Sequence, residues 1–265
     1  MALRYDVNLS ILLTELPLLQ RPQAARDAGF SAVECWWPFP AAVPGDREVD
    51  AFVAAVRDAG VQLVSLNAYG GDLAAGERGV ASLPGREAEF RDNLDVAVAV
   101  VQALACPTLH VLYGNRDGSD PARQDELATE HLRLAVAAAG PVGAGVVVEA
   151  LSGDARYPVR TAADALRVLD PVGPGARFLC DVYHLSVNGE NPVEVIRRHA
   201  DRIGHVQVAD APGRHQPGTG TVDVDGCLSA LEDVGYTGWV GLEYAPLGPS
   251  AESFGWLPVE RRSAR

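Results

Sequence analysis

The chain has 265 residues, of which 48% are hydrophobic, and its 22 basic and 35 acidic residues give a net charge of −13. This length and apolar content allow a large buried core, which excludes a disordered chain and a small scaffold held together by disulfides. The acidic balance argues against nucleic acid as a partner, because affinity for nucleic acid depends largely on basic side chains that neutralise phosphates.

The cysteines and the N-terminal sequence bear on the cellular compartment. The four cysteines are far apart and form no C-x-x-C pair: Cys35, Cys106, Cys180 and Cys227. We therefore expect reduced, buried thiols rather than a disulfide framework or a zinc knuckle. The N-terminus has no apolar export signal, and no window approaches the roughly 18 apolar residues of a membrane span. These features predict a cytoplasmic protein without a membrane partner.

Short apolar runs alternate with segments of helical periodicity along the whole chain. The runs predict eight strands, at residues 4–9, 31–36, 61–67, 107–112, 144–149, 176–181, 203–208 and 238–243. Helices are predicted at 17–28, 47–59, 86–104, 122–139, 161–169, 191–200 and 225–234. Thr161 is a typical N-cap, and Gly29, Gly60 and Gly140 stand where left-handed glycines end helices.

Eight β-then-α units in a chain of this length are typical of a (β/α)8 TIM barrel. Because no linker interrupts the pattern, we predict a single domain over residues 1–265. A doubly wound open sheet is the competing architecture. It is disfavoured because no G-x-G-x-x-G motif lies between the first strand and the first helix.

Polar residues occupy the ends of the predicted strands, where TIM barrels place their active sites. They are Asn8, Glu34, Asn67, His110, Glu149, Asp181, Gln207 and Glu243. A carboxylate at the end of an apolar strand is disfavoured by desolvation unless it meets a cation or hydrogen-bond donors. Glu149, Asp181, Glu243 and the Gln207 amide oxygen form an all-oxygen set that suits Mg²⁺ or Mn²⁺. The alternative is that each carboxylate caps a loop or pairs with an arginine.

Three further residues belong to the same predicted rim. His184 follows Asp181 by three residues, where a loop would turn over the site, and it could bind a substrate hydroxyl or carbonyl. Arg214, after the seventh strand, could hold a carboxylate or hydroxyls, although a solvated loop arginine is equally consistent. His205 lies two residues before Gln207 in the same predicted strand, so both side chains face the inside of the barrel and His205 lies one layer deeper. We therefore expect His205 to be a hydrogen-bonded interior histidine.

Several motifs point to a known family. Gly76-Glu77-Arg78-Gly79 is followed by Pro84-Gly85-Arg86-Glu87, and further matches lie at residues 8–10, 29–30, 33–34, 181–184, 204–210, 217–220, 238–241 and 243–244. With these motifs the chain resembles, over nearly its whole length, the hydroxypyruvate isomerase family of the xylose isomerase-like TIM barrels. The paired Gly-Glu-Arg-Gly and Pro-Gly-Arg-Glu motifs are quite specific to that family.

The resemblance implies roles for individual residues. Glu149, Asp181, Gln207 and Glu243 match the metal positions of the family, and Glu149 and Glu243 match its paired catalytic glutamates. The glutamine favours the isomerases, because related sugar epimerases usually carry a histidine at that position. The residues expected to bind substrate are His184, Arg214, Asn67, Glu77 and Arg78.

The activity that the resemblance implies is a metal-dependent isomerisation of a small hydroxy-carbonyl acid, with hydroxypyruvate to 2-hydroxy-3-oxopropanoate as the leading reaction. The chain departs from the family at Leu66, at 150–152 and at Ala245, where a lysine is common. A 2-oxo-tetronate or sugar isomerase and a ketose 3-epimerase therefore stay open as alternatives. A nuclease-like barrel, a non-catalytic protein and a homo-oligomeric assembly stay open as well.

Overall fold

The computed structural model describes residues 2–263 and contains a closed barrel of eight parallel strands in sequence order. The strands are β1 (Arg4–Asn8), β2 (Ala32–Cys35), β3 (Gln62–Asn67), β4 (Thr108–His110), β5 (Gly145–Glu149), β6 (Ala176–Asp181), β7 (Ile203–Val208) and β8 (Trp239–Leu242). Each lies within a predicted run, although β4 is shorter than expected. The predicted single-domain TIM barrel is confirmed.

Helices connect the strands and cover the outside of the barrel. They are α1 (Arg21–Asp27), α2 (Asp46–Ala59), α3 (Glu87–Ala103), α4 (Pro121–Ala139), α5 (Ala162–Leu169), α6 (Val182–Val187), α7 (Pro192–His199), α8 (Val224–Asp233), α9 (Ser250–Ser253) and α10 (Val259–Arg262). Seven of them match the predicted helices to within a few residues. Thr161 caps α5 as expected, because its side chain accepts from the backbone N–H of Asp164.

Two local expectations were wrong. The chain does not form a loop after Asp181: α6 begins there, because the Asp181 carboxylate accepts from the backbone N–H groups of Tyr183 (2.7 Å) and His184 (3.1 Å) and caps the helix. Gly140 does not end α4 in the left-handed region, since its φ is −56°. The chain continues through a further 3₁₀ turn, and Gly143, with φ 84°, takes the left-handed position.

The inside of the barrel is polar as well as apolar. Asp6, Asn8, Glu34, His205 and Gln207 are at most 2% exposed. Buried groups of this kind require partners, because an unpaired polar atom in the core costs free energy. Asn8, Glu34 and Gln207 are strand-end residues of the predicted rim whose side chains are buried below its surface, and Asp6 and His205 lie one layer deeper in β1 and β7.

The described part of the chain also shows the state of the cysteines and the character of the helices. All four cysteines are buried, and none forms a disulfide within residues 2–263. No helix in that range is long and apolar enough to cross a membrane.

Candidate active site

The strand register brings the predicted strand-end residues to one rim of the barrel. Asn67 pairs with His110 across β3 and β4, and Asp181 pairs with Gln207 across β6 and β7. The next step of the register joins Gln207 to Gly241 in β8, two residues before Glu243. Parallel strands in a barrel thus collect side chains from distant parts of the sequence at one end.

A cavity of about 360 Å³ opens at this rim. Six of the predicted site residues line it: Asn67, Arg78, Glu149, His184, Arg214 and Glu243. Asp181 and Gln207 are only 1% and 2% exposed and lie below the lining. This volume is within the range of small-molecule sites.

Glu77 is not brought into the cavity. Its carboxylate accepts from Arg86 (2.6 Å) and from the backbone N–H of Asp72 (2.6 Å). The glutamate and arginine of the two family motifs therefore hold the loop after β3 together, and the neighbouring Arg78 is the motif residue that reaches the cavity.

Glu149, Asp181 and His184 form one buried cluster, with one ligand atom from each within 4.8 Å of the others. His184 lies between the carboxylates, because its Nε2 is 3.8 Å from an oxygen of each. The backbone N–H of Ser152 donates to His184 Nδ1 (2.9 Å), so the ring proton is on Nε2. Burial lowers the pKa of His184 to about 4. His184 is therefore a neutral donor facing the site near pH 7.

Glu243 is held from two sides. Its Oε1 accepts from the indole N–H of Trp36 (2.5 Å) and from Asn8 Nδ2 (3.3 Å), and its Oε2 accepts from Arg214 (2.7 Å). Arg214 also faces Asp181 at 3.4 Å. The arginine expected to bind substrate thus lines the cavity while pairing with two carboxylates, and these raise the pKa of its guanidinium against the lowering effect of burial.

The carboxylates of the site are strongly perturbed. Burial raises the pKa of Glu149 well above its usual value, and repulsion from Asp181 and Glu243 adds to the effect. Burial also raises the pKa of Glu243 to about 8, with Arg214 opposing the shift. Three clustered acids beside one arginine favour a further cation, since ionising them together is otherwise costly.

The buried oxygen atoms without a hydrogen-bond partner are suitable ligands for a hard divalent cation. Among the residues that the structure describes, the buried atoms Glu149 Oε1 and Gln207 Oε1 have no hydrogen-bond partner. Both are oxygens, both belong to the predicted ligand set, and Asp181 is beside them. Mg²⁺ and Mn²⁺ prefer such carboxylate and amide oxygens. The residues present therefore suit the metal that the sequence predicts.

Residues outside the predicted set of catalytic, metal-binding and substrate-binding residues also shape the site. Trp36 and Ser152 orient Glu243 and His184, as described above. Asp210 orders the loop that carries Arg214, because its Oδ2 accepts from the backbone N–H groups of residues 218, 219 and 220 at 2.8–3.0 Å. An acid preceding a glycine-rich loop is a signal that could have indicated this role.

Below the site, His205 is the interior histidine that we expected, with Nε2 2.6 Å from Glu34 Oε2. Asp6 lies nearby, is fully buried, and has no hydrogen-bond partner for either oxygen among residues 2–263. Burial raises the pKa of Asp6 well above 3.8, and repulsion from Glu34 and Glu243 raises it further. Asp6 is therefore protonated in the folded chain at pH values where the unfolded chain has lost that proton.

This difference predicts a pH-dependent effect of Asp6→Asn. Between about pH 4 and the raised pKa of the folded state, the wild-type chain must take up a proton to fold, so its unfolding free energy falls, relative to the variant, by up to about 1.4 kcal/mol per pH unit. We expect urea unfolding at pH 5, 6 and 7 to show a growing advantage for Asp6→Asn. Asp92→Asn, at an exposed position on α3, is the control and should parallel the wild type. If the unfolding free energies of Asp6→Asn and of the wild type change equally with pH, Asp6 is ionised in the folded chain.

Comparisons with known proteins agree with the site and the fold. The family model described as xylose isomerase-like TIM barrel matches residues 22–258. A Streptomyces coelicolor protein with the provisional name hydroxypyruvate isomerase is 52% identical, over 99% of this chain and 98% of its own. The 2-oxo-tetronate isomerase of Pectobacterium atrosepticum is 33% identical, over 96% of each chain.

A solved structure from Brucella melitensis, described as an AP endonuclease of family 2, superposes with a TM-score of 0.89. It is 35% identical and the match covers 97% of this chain and 98% of that one. The Streptomyces coelicolor and Pectobacterium atrosepticum relatives are both named as isomerases. The chain is thus an enzyme of the isomerase class, and it belongs to the xylose isomerase-like TIM barrel family.

Proposed function

We propose that the enzyme isomerises a small hydroxy-carbonyl acid, with hydroxypyruvate as the leading substrate and 2-hydroxy-3-oxopropanoate as the product. The observation that carries this proposal is the pair Glu149 and Glu243, which reach one cavity from separate strands with raised pKa values. Perturbed acids of this kind suit proton transfer near neutral pH. The relatives named as hydroxypyruvate isomerase support the choice of substrate.

The proposal includes a divalent cation, Mg²⁺ or Mn²⁺, held by Glu149, Asp181, Gln207 and Glu243. When bound, it would supply positive charge beside the substrate oxygens and stabilise the negative charge of an enediolate. The unpartnered oxygens described above support this ligand set.

Arg78 is suited to hold the substrate carboxylate. Its Nη1 donates to the backbone carbonyls of Leu73 (3.0 Å) and Glu77 (2.7 Å), which fixes the guanidinium at the cavity wall. Within the described residues it forms no ion pair, whereas Arg214 already pairs with two acids. Arg78 could thus supply the cation that is missing at Ala245.

The proton balance follows from the glutamates. One of them, as a carboxylate, removes a proton from C3 of hydroxypyruvate, leaving an enediolate across C2 and C3. A proton from the same glutamate or from the facing one then returns to C2, and the hydroxyl proton passes from the C3 oxygen to the C2 oxygen, which leaves an aldehyde at C3 and a hydroxyl at C2. His184, with its proton on Nε2, can donate a hydrogen bond to a substrate oxygen while the charge develops.

A four-carbon acid is the second candidate, because the site has a neighbouring space. A cavity of about 380 Å³ shares Trp36, Asn67, Leu73 and Leu112 with the first. This extension favours a longer 2-oxo acid, as in the relative named 2-oxo-tetronate isomerase.

We further propose that the enzyme is cytoplasmic and acts on a free small molecule rather than on nucleic acid. The proposal allows the chain to form homo-oligomers.

A substrate panel in D₂O with Mg²⁺ or Mn²⁺ tests the proposal. Hydroxypyruvate, a 2-oxo-tetronate and ketohexoses are compared by kcat/KM, and the products are examined by NMR. We expect the three-carbon or four-carbon acid to lead and deuterium to enter the product at the carbon that receives the proton. Preference for a ketohexose would indicate an epimerase. Product without solvent deuterium would leave two routes, a hydride shift or the return of the same proton by one shielded glutamate, and would exclude an exchange of protons between solvent and the two glutamates.

A further inference from the structure

Glu34 lies beneath the rim, is 1% exposed, and receives hydrogen bonds from three side chains. The Oε1 atom lies 2.9 Å from Asn8 Nδ2 and 2.8 Å from Gln207 Nε2, and Oε2 lies 2.6 Å from His205 Nε2. We propose that Glu34 is a positioning residue that turns the amide oxygen of Gln207 toward the metal position. The inference rests on the metal-dependent function proposed above.

The amide orientation of Asn8 is determined by the backbone. Asn8 Oδ1 accepts from the N–H of Ser10 (2.9 Å), and a backbone N–H can only donate. The Nδ2 group of Asn8 must therefore face the other way, where it meets Glu34 Oε1. Since this contact uses an N–H donor, Glu34 Oε1 is an acceptor.

The same oxygen then determines the orientation of Gln207. An acceptor at Glu34 Oε1 requires the nitrogen of the Gln207 amide to face it, so the amide oxygen points away from Glu34. That oxygen is buried and unpartnered within the part of the chain that the structure describes. Without Glu34, the amide could rotate and present its NH₂ group, which cannot coordinate a cation.

The barrel wall provides room for this carboxylate. Gly241 pairs with Gln207 in the register, and a Cβ atom at Gly241 would lie 2.8 Å from the Glu34 carboxyl atoms. Any side chain there would push Glu34 out of its present place. The absence of a side chain at this residue is a second observation that the wall is shaped around the Glu34 carboxylate.

The test measures Mn²⁺ binding to the metal-depleted chain, with free Mn²⁺ followed by electron paramagnetic resonance. Removing the partner of a metal-binding side chain typically lowers metal affinity roughly 10–100-fold. We expect Glu34→Met and Gln207→Met each to raise the Kd within that range. The double variant should bind no more weakly than Gln207→Met alone, because Glu34 acts through Gln207. Glu34→Gln, which keeps an accepting oxygen, should restore most of the affinity.

Gly241→Ala is an independent probe, because it displaces Glu34 without altering its chemistry; we expect it to raise the Kd as well. Circular dichroism and melting temperatures identify variants that do not fold. Additive losses in the double variant, or wild-type affinity in folded Glu34→Met, would overturn the inference. If Glu34→Met does not fold, wild-type affinity in Gly241→Ala overturns it instead. A wild-type chain that binds no Mn²⁺ would overturn the proposed function itself, and the inference with it.

Discussion

Glu243→Gln is expected to abolish turnover while leaving the barrel folded. The amide can still accept from Trp36 and Asn8, so the local packing is retained. It can no longer take up or release a proton, and its NH₂ group would face the Arg214 donor that now binds the carboxylate. Loss of a general acid or base typically costs about 10²–10⁴-fold in rate. We expect a loss of kcat/KM of at least about 10³-fold, because Glu243 also belongs to the proposed metal ligands.

The fold should survive this change because the substitution removes a charge from a crowded, buried site. Burial and the nearby acids Glu34 and Asp181 already raise the pKa of Glu243. Glu126→Gln, at an exposed position on α4, is the matched control and should keep wild-type kinetics and melting temperature. If folded Glu243→Gln retains more than a tenth of the wild-type kcat/KM, Glu243 is not an acid or base in the reaction.

The barrel could be predicted from the sequence because its signals are local. Runs such as Gly145–Glu149 are apolar up to their last residue, and amphipathic segments such as Glu87–Ala103 alternate with them. The rule that barrel sites lie at strand ends then places Glu149, Asp181 and Gln207 together. The strand register of the structure shows which of these residues are direct neighbours, and Asp181 lies beside Gln207.

The remaining features depend on contacts between distant residues, for which one sequence has no signal. The Trp36 indole meets Glu243 across 207 positions, and Glu34 meets Gln207 across 173. Glu77 was expected to bind substrate because it belongs to a motif, but that motif also serves the loop structure through Arg86. The α6 helix was missed because Asp181 was considered only as a ligand, although it also caps the helix.

Metal depletion should have the second largest effect. We expect dialysis against EDTA to bring activity to background, and Mg²⁺ or Mn²⁺ to restore it. The cation would offset the repulsion among Glu149, Asp181 and Glu243, which Arg214 alone balances only in part. A ligand at about 100 times its Kd stabilises the fold by about 3 kcal/mol, which corresponds to a rise of about 5–10 °C in melting temperature for a chain of this size.

The stabilisation should depend on pH in a direction that the raised pKa of Glu243 determines. In the metal-free fold that pKa is about 8, against 4.5 for a glutamate in water. The folded chain therefore holds a proton that the unfolded chain has lost, and metal-free stability falls as the pH rises from about 4.5 to 8. A cation must displace this proton, so its affinity rises over the same range. The increase in melting temperature caused by Mn²⁺ should be larger at pH 8 than at pH 6.

Scanning calorimetry with and without Mn²⁺ measures this difference, with KCl at equal ionic strength as the control for charge screening. The double variant Glu149→Gln/Asp181→Asn removes the negative charges of two of the proposed ligands and should lose both the stabilisation and its pH dependence. Glu126→Gln should keep both. Full activity after EDTA treatment, together with a melting temperature that Mn²⁺ does not change, would exclude a metal-dependent reaction. A stabilisation that is larger at pH 6 than at pH 8 would instead assign the metal to groups other than Glu243.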